Sequence, residues 1–222
     1  MHPLPPTPAL YRAAGLLYLT IIFLGLTSEL VVRAPLQSLT PADLAQRIVE
    51  TEMSFRLSMA ADTVMIMADV GLAAFLFVIL APVSVGLAAI AAVFRLIQAV
   101  IIAGNLAHQE AALIWALEGE PGLAATAMQL HAAGYDHGLI FFGVNALIVG
   151  WLLTRHEGFA GWLGGLMGLA GVTYLTGSFL RILNPDLAEA FQPAYLIAII
   201  AETAFMIALL RHGWPGSRTV EA

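Results

Sequence analysis

Charged side chains stand inside stretches that are otherwise hydrocarbon. Asp62 and Asp69 interrupt the apolar run that begins at Phe55, Arg95 sits near the middle of the next run, and Glu202 lies within the last. An ionised group costs roughly 2.5–3.5 kcal/mol or more at the centre of a membrane helix, so such residues face a protein interior and find partners there. Carboxylates and guanidinium groups held in that way can neutralise one another, bind a charged solute, or take up and release protons. On a helix, Gln98, Asn105 and Gln109 fall with Arg95 within one arc of about 80°, while Ser58, Asp62, Met65 and Asp69 share a face from which Arg56 points some 120° or more away. Tyr174, Ser178 and Arg181 form a further polar stripe, and Glu29 stands near the end of the first apolar run, within reach of an interface. Tyr18, Tyr174 and Tyr195 either line a pocket with these groups or pack as an aromatic stripe.

A second constellation is formed by His108, Asp136 and His137, with Glu29 or Asp62. It has the nitrogen and oxygen donors that a metal such as zinc takes. No HExxH and no i, i+4 pair of His accompanies it, and Asp136-His137 equally marks a helix start, where an acid is favoured by the dipole. The nucleophile elbow GxSxG and the phosphate loop GxxxxGK[ST] are absent. There is no Cys, which excludes disulfides, thiolate catalysis and Cys-ligated metals. All nine cations are Arg, so no Lys Schiff base can form, and a retinal pigment or a Schiff-base enzyme is excluded. No basic run interleaved with aromatics suggests nucleic acid.

These groups need elements to hold them. The chain is 60% hydrophobic and 11% charged, with mean hydropathy +0.87. Soluble domains run about 45–50% apolar and about 25% charged, so this composition is that of an integral membrane protein in contact with lipid. Windows of roughly 20 apolar residues number about six, enough for one all-α polytopic bundle. The predicted spans are residues 13–32, 55–80, 83–107, 135–153, 159–183 and 193–210, forming a single domain over 13–211 between tails 1–12 and 212–222. Thr40-Pro41-Ala42-Asp43 is a helix start, with Thr as cap, Pro at the first position and an acid three residues on. It opens an amphipathic interfacial helix over 41–50. Residues 108–134 read as a long connection broken at Glu118-Gly119-Glu120-Pro121-Gly122. The Pro-rich start lacks a charged segment and the following run lacks a small-residue cleavage site, so that run reads as a retained first span.

The fifth span opens with Gly161, Gly164, Gly165, Gly168 and Gly171, small-xxx-small spacing that lets another helix approach closely. Ala14-Gly15-Leu16-Leu17-Tyr18-Leu19-Thr20 in the first span echoes Ala170-Gly171-Val172-Thr173-Tyr174-Leu175-Thr176 in the fifth, and Ala61-Asp62-Thr63 echoes Ala201-Glu202-Thr203. A repeat of this kind is parallel, because spans four apart run the same way.

An even number of spans puts both termini on one side. The Arg tally is four against four, and discounting Arg47, Arg56 and Arg181 as acid-flanked or partly intramembrane places the termini in the cytoplasm of a plasma (inner) membrane. Counting about 1.5 Å per residue along alternating spans puts Arg95, Asp69 and Glu202 in the middle or towards the termini. Glu29, Arg56, Asp62, Asn105, His108, Asp136, His137 and Arg181 fall in the opposite half, so the polar content concentrates near one mouth.

Arg12 to Leu19, Glu52 with Phe55-Arg56, Phe94-Arg95-Leu96, Phe141-Phe142-Gly143, Gly150-Trp151-Leu152-Leu153, Ala170-Gly171 with Tyr174, and Ala201-Glu202 are blocks in a recurring order. With them the chain, from about residue 10 to 210, resembles a bacterial multi-pass membrane family catalogued only as a domain of unknown function. The resemblance implies a six-helix membrane protein in which Arg56, Arg95 and Glu202 are family features. It implies no activity, substrate or cofactor.

The functional expectation is a polar cavity among the spans that binds or moves a small polar or anionic solute, or couples protons. Arg95 and Arg181 supply positive charge, Asp62, Asp69 and Glu202 are titratable partners, Arg56, Asn105 and Tyr174 complete the lining, and Glu29 guards the entrance. The alternatives are a membrane-embedded enzyme with His108, Asp136 and His137 at its mouth, and an accessory subunit whose polar groups only fix helix docking. Cofactor, ligand and oligomeric state are not specified by these residues.

Overall fold

The computed structural model describes residues 6–213. The N-terminal five residues and the expected polar tail beyond Gly213 lie outside the described residues. Among the described residues eight α-helices carry the fold: α1 (Pro8–Thr27), α2 (Pro41–Glu50), α3 (Glu52–Leu80), α4 (Val85–Leu117), α5 (Pro121–Leu153), α6 (Gly161–Leu183), α7 (Pro185–Phe191) and α8 (Tyr195–Gly213). A π-turn over Ser28–Arg33 and a 3-10 turn over Ala34–Leu36 prolong α1, and together six helices are long and apolar enough to cross a membrane. This is a multi-pass membrane protein.

The caps are those the residues dictate. Thr7 and Thr40 accept backbone N–H bonds at the starts of α1 and α2, each followed by Pro in the first turn, and Ser84 caps α4 after the Pro82 turn. Each span packs on its neighbours in chain order, α1 on α3, α3 on α4, α4 on α5, α5 on α6 and α6 on α8. Then α8 returns to α1, closing a ring. The Tyr11 and His212 rings meet at 5.5 Å, which brings the two described ends together. We call their side the terminal face and the opposite side the α2 face.

Lipid-length helices need about 20 residues, yet α4 and α5 have 33 each. At 1.5 Å per residue they run about 50 Å, and their joined ends project at the α2 face. The sequence pattern predicts a connection over 108–134 with a separate short helix. The structure instead continues α4 to Leu117, turns through Gly119 at φ 77°, and runs α5 unbroken from Pro121. Gly134, mid-helix, is kept by a close approach: a Cβ there would overlap the Asn105 side chain. The amphipathic α2 buries Leu44, Ala45 and Ile48 against Ala112, Leu113, Ala124 and Ala127 of this hairpin.

On the terminal side the interior is apolar and closely packed, with Leu76, Ile79, Leu152, Leu163, Phe205 and Leu209 all buried. Between α5 and α6 the packing is backbone on backbone. A Cβ at Gly150 would lie 2.6 Å from the Gly168 nitrogen, and one at Gly164 would lie 2.5 Å from the Gly150 oxygen.

Candidate functional site

At mid-depth every span contributes one side chain to a shared centre: Tyr18 of α1, Asp69 of α3, Arg95 of α4, Phe142 of α5, Tyr174 of α6 and Glu202 of α8. Arg95 Nε donates to Asp69 Oδ1 at 2.8 Å and its Nη2 lies 2.5 Å from the same oxygen. The guanidinium carbon sits 5.3 Å from the Tyr18 ring centroid and 5.1 Å from that of Phe142, so two aromatic faces cover the cation. Glu202 is held differently. Its Oε2 accepts the Tyr18 hydroxyl at 3.3 Å and its Oε1 accepts the Tyr174 hydroxyl. Fully ionised, the centre carries one positive and two negative charges, and the cation is bonded to Asp69.

The intramembrane charges predict a solute-sized hollow here. The void beside Arg95, lined by Ala73, Leu76, Leu80, Ala91, Asn145 and others, is only about 10 Å³. That is room for about one water molecule. The physical reason is that two rings lie over the guanidinium, while Ala73, Ala88, Ala91 and Ala92 let α3 and α4 close in. Asn145 also takes up space there, donating to the Ala91 carbonyl at 2.8 Å.

A second polar centre lies nearer the α2 face. The π-turn, in which Ala34 N–H reaches back to the Glu29 carbonyl, carries Arg33 inward. Its Nε donates to Glu29 at 2.8 Å and its Nη1 to Asp62; Arg33 and Asp62 are both buried, while the Glu29 side chain is 42% exposed. The Arg33 guanidinium lies 5.9 Å from the Tyr135 ring centroid. Around this pair Gln109 donates to Ser58 Oγ at 3.1 Å, and Asn105 donates to the His131 carbonyl at 2.6 Å. Composition alone did not single out Arg33, Tyr135 or His131 for this role; the i, i+4 spacing of Glu29 with Arg33 was the available signal.

The remaining candidates lie apart from both centres. Arg181 pairs with Asp136 at 2.7 Å, with the Arg side chain 40% exposed. Arg56 pairs with Glu52 at 2.7 Å on the surface, and exposed His137 bonds to the Ala133 carbonyl at 2.7 Å. His108 is half-buried on α4. His108, Asp136 and His137 are therefore not brought to one point, and among the described residues no three His, Asp or Glu side chains gather as a metal site would require.

The sequence model of a family described as Domain of unknown function (DUF4386) matches residues 13–213, nearly the whole chain. The chain belongs to the DUF4386 family. No curated protein and no solved structure matches it. In this DUF4386 chain the matched segment contains every residue of both polar centres, and its first and last spans, α1 and α8, supply the tyrosine and the carboxylate that meet at Glu202.

Proposed function

We propose that this DUF4386 protein is a proton-responsive membrane protein of the transporter or sensor type, with Glu202 as the group that gains and loses the proton. One observation carries the reading: Asp62 and Asp69 each hold an Arg, whereas Glu202 is buried at mid-depth against two neutral tyrosine hydroxyls. An unmatched charge at that depth is expensive, so the ionisation state of Glu202 is coupled to how closely α1, α6 and α8 pack around it. The small void beside Arg95 favours proton coupling over a solute held at that point. The residue set reads best in a plasma (inner) membrane with cytoplasmic termini.

The test is an infrared difference titration of the reconstituted protein. A protonated carboxyl band should appear as the pH is lowered and vanish as it is raised again, and Glu202→Gln should remove it. If no band depends on Glu202, the reading fails. A second reading is favoured by the closed Arg95–Asp69 pair, which is also what a docking device between α3 and α4 looks like. It predicts that Glu202→Gln leaves every pH-dependent property of the protein untouched.

A further inference from the structure

We infer that the Arg33–Asp62 centre is a binding site for a small cation that donates hydrogen bonds, ammonium being the smallest of that class. The site is separate from Glu202 and does not depend on its titration. It starts from three atoms on three helices. Asp62 Oδ1 of α3, Gln109 Oε1 of α4 and His131 Nε2 of α5 have no hydrogen-bond partner within the protein, and their residues are 1%, 0% and 3% exposed. Buried polar atoms are nearly always paired, so three left open in one neighbourhood point to an occupant that pairs with them.

Close contacts tie the three into one ring. Arg33 bonds to Asp62 and lies 5.9 Å from the Tyr135 ring centroid, and the Tyr135 ring is 6.4 Å from that of His131. Asn105 Nδ2 donates to the His131 carbonyl at 2.6 Å. One turn further along α4, Gln109 donates to Ser58 Oγ at 3.1 Å, and Ser58 stands one turn before Asp62 on α3. The circuit closes on itself, and apart from Tyr135 its members are each no more than 5% exposed. The free atoms therefore turn into the protein and not towards lipid.

The count of donors and acceptors fixes the class of ligand. Ser58 Oγ gives its proton to the Phe55 carbonyl at 2.7 Å, so it accepts from Gln109 Nε2 and leaves the amide oxygen as the free end. Asp62 gives one oxygen to Arg33 and keeps the other. In the tautomer whose Nδ1–H donates to the Asn105 carbonyl at 3.3 Å, His131 Nε2 is a third acceptor. Ser28, beside Asp62, gives its own proton to the Ser58 carbonyl at 3.4 Å and adds lone pairs. Three acceptors call for a donor-rich occupant. Glu29 and Asp62 against Arg33 also leave one net negative charge, which an ammonium ion cancels and a water molecule does not. Glu29, 42% exposed and bonded to both Arg33 and Gln37, stands where such a cation would enter.

The experiment is a calorimetric titration of the full-length protein in lipid nanodiscs with ammonium chloride or potassium chloride, at neutral pH and constant ionic strength. Potassium is close to ammonium in size but donates no hydrogen bond. Ammonium should bind saturably and about tenfold or more tighter than potassium, the scale of one charged hydrogen bond. Gln109→Met should weaken ammonium binding by a similar factor, Asp62→Asn by at least as much, and Glu29→Gln, a surface change, by less. Arg56→Gln, at an exposed pair outside the ring, should leave it unchanged. Circular dichroism checks that each variant is folded, and where Asp62→Asn is not, Gln109→Met and Glu29→Gln decide. Equal affinity for the two ions, or ammonium affinity unmoved in both Gln109→Met and Glu29→Gln, overturns the site. So does an absence of saturable binding, which leaves the three atoms to internal water.

Discussion

Arg95 and Asp69 are 2% and 5% exposed at the side chain, so neither can be removed without stranding the other. Arg95→Met should lower stability by about 3–5 kcal/mol, the cost of an uncompensated buried charge. Adding Asp69→Leu should restore most of that loss, because replacing both partners by apolar groups is often neutral. Thermal denaturation in detergent measures both, and equal damage in single and double variants would show that packing, and not charge, holds the centre. That Arg95, Asp69 and Glu202 point inward was legible from the cost of charge in hydrocarbon, whereas Tyr18 and Tyr174 read equally as pocket lining or as a packing stripe. Their use was not legible, because hydropathy cannot say which acid takes the single central Arg. Arg33 was still harder to read. An Arg that ends an apolar run resembles an interface anchor, and only the π-turn turns it into the interior.

The helices themselves carry two further expectations. A Cβ at Gly150 meets the backbone of α6, whereas one at Gly165 meets open space. Gly150→Ala should therefore destabilise by about 1–3 kcal/mol through overpacking. Gly165→Ala should be neutral or stabilise by about 0.5–1 kcal/mol; the same melting experiment distinguishes them. The loop between α5 and α6 holds a neutral His156: its Nδ1 accepts the Gly158 N–H at 3.0 Å, so its Nε2 carries the proton and donates to the Ile79 carbonyl at 3.2 Å. Burial pushes its pKa below the ordinary 6.5, with His212 acting in the same direction and Glu157 against it. The folded form thus resists protonation that the unfolded chain accepts. This stabilisation is whole above pH 6.5 and is lost as pH falls from there through the lowered value. Melting curves of His156→Gln should fall less steeply over that acid window than those of the native chain. Element boundaries were legible where Pro and a capping Thr or Ser start a helix. They were not legible over 108–134, because an Ala-rich stretch continues a helix past the bilayer as readily as it leaves one. What decided the matter was partner surface: α2 supplies an apolar face for the projecting hairpin, and the local sequence does not display that contact.

Six spans packed in chain order around one polar centre give a molecule whose two faces differ. The α2 face carries the projecting hairpin and the Arg33–Asp62 centre, and the terminal side is largely apolar. The chain has no Cys, so a single Glu118→Cys change at the hairpin tip creates a unique label site. With the termini in the cytoplasm, an impermeant maleimide should label it in intact cells, while Arg211→Cys should react only after lysis. The reverse pattern would invert the proposed topology. The centre drawn from all six spans has one more implication, and it concerns biosynthesis. Glu202 leaves the ribosome after the other five partners, so Tyr18 and Tyr174 are inserted before the carboxylate that joins them exists. A nascent chain halted before α8 exposes half-made polar contacts to the insertion machinery and to membrane proteases. Truncation by a single span should therefore yield rapid turnover and not a smaller working protein.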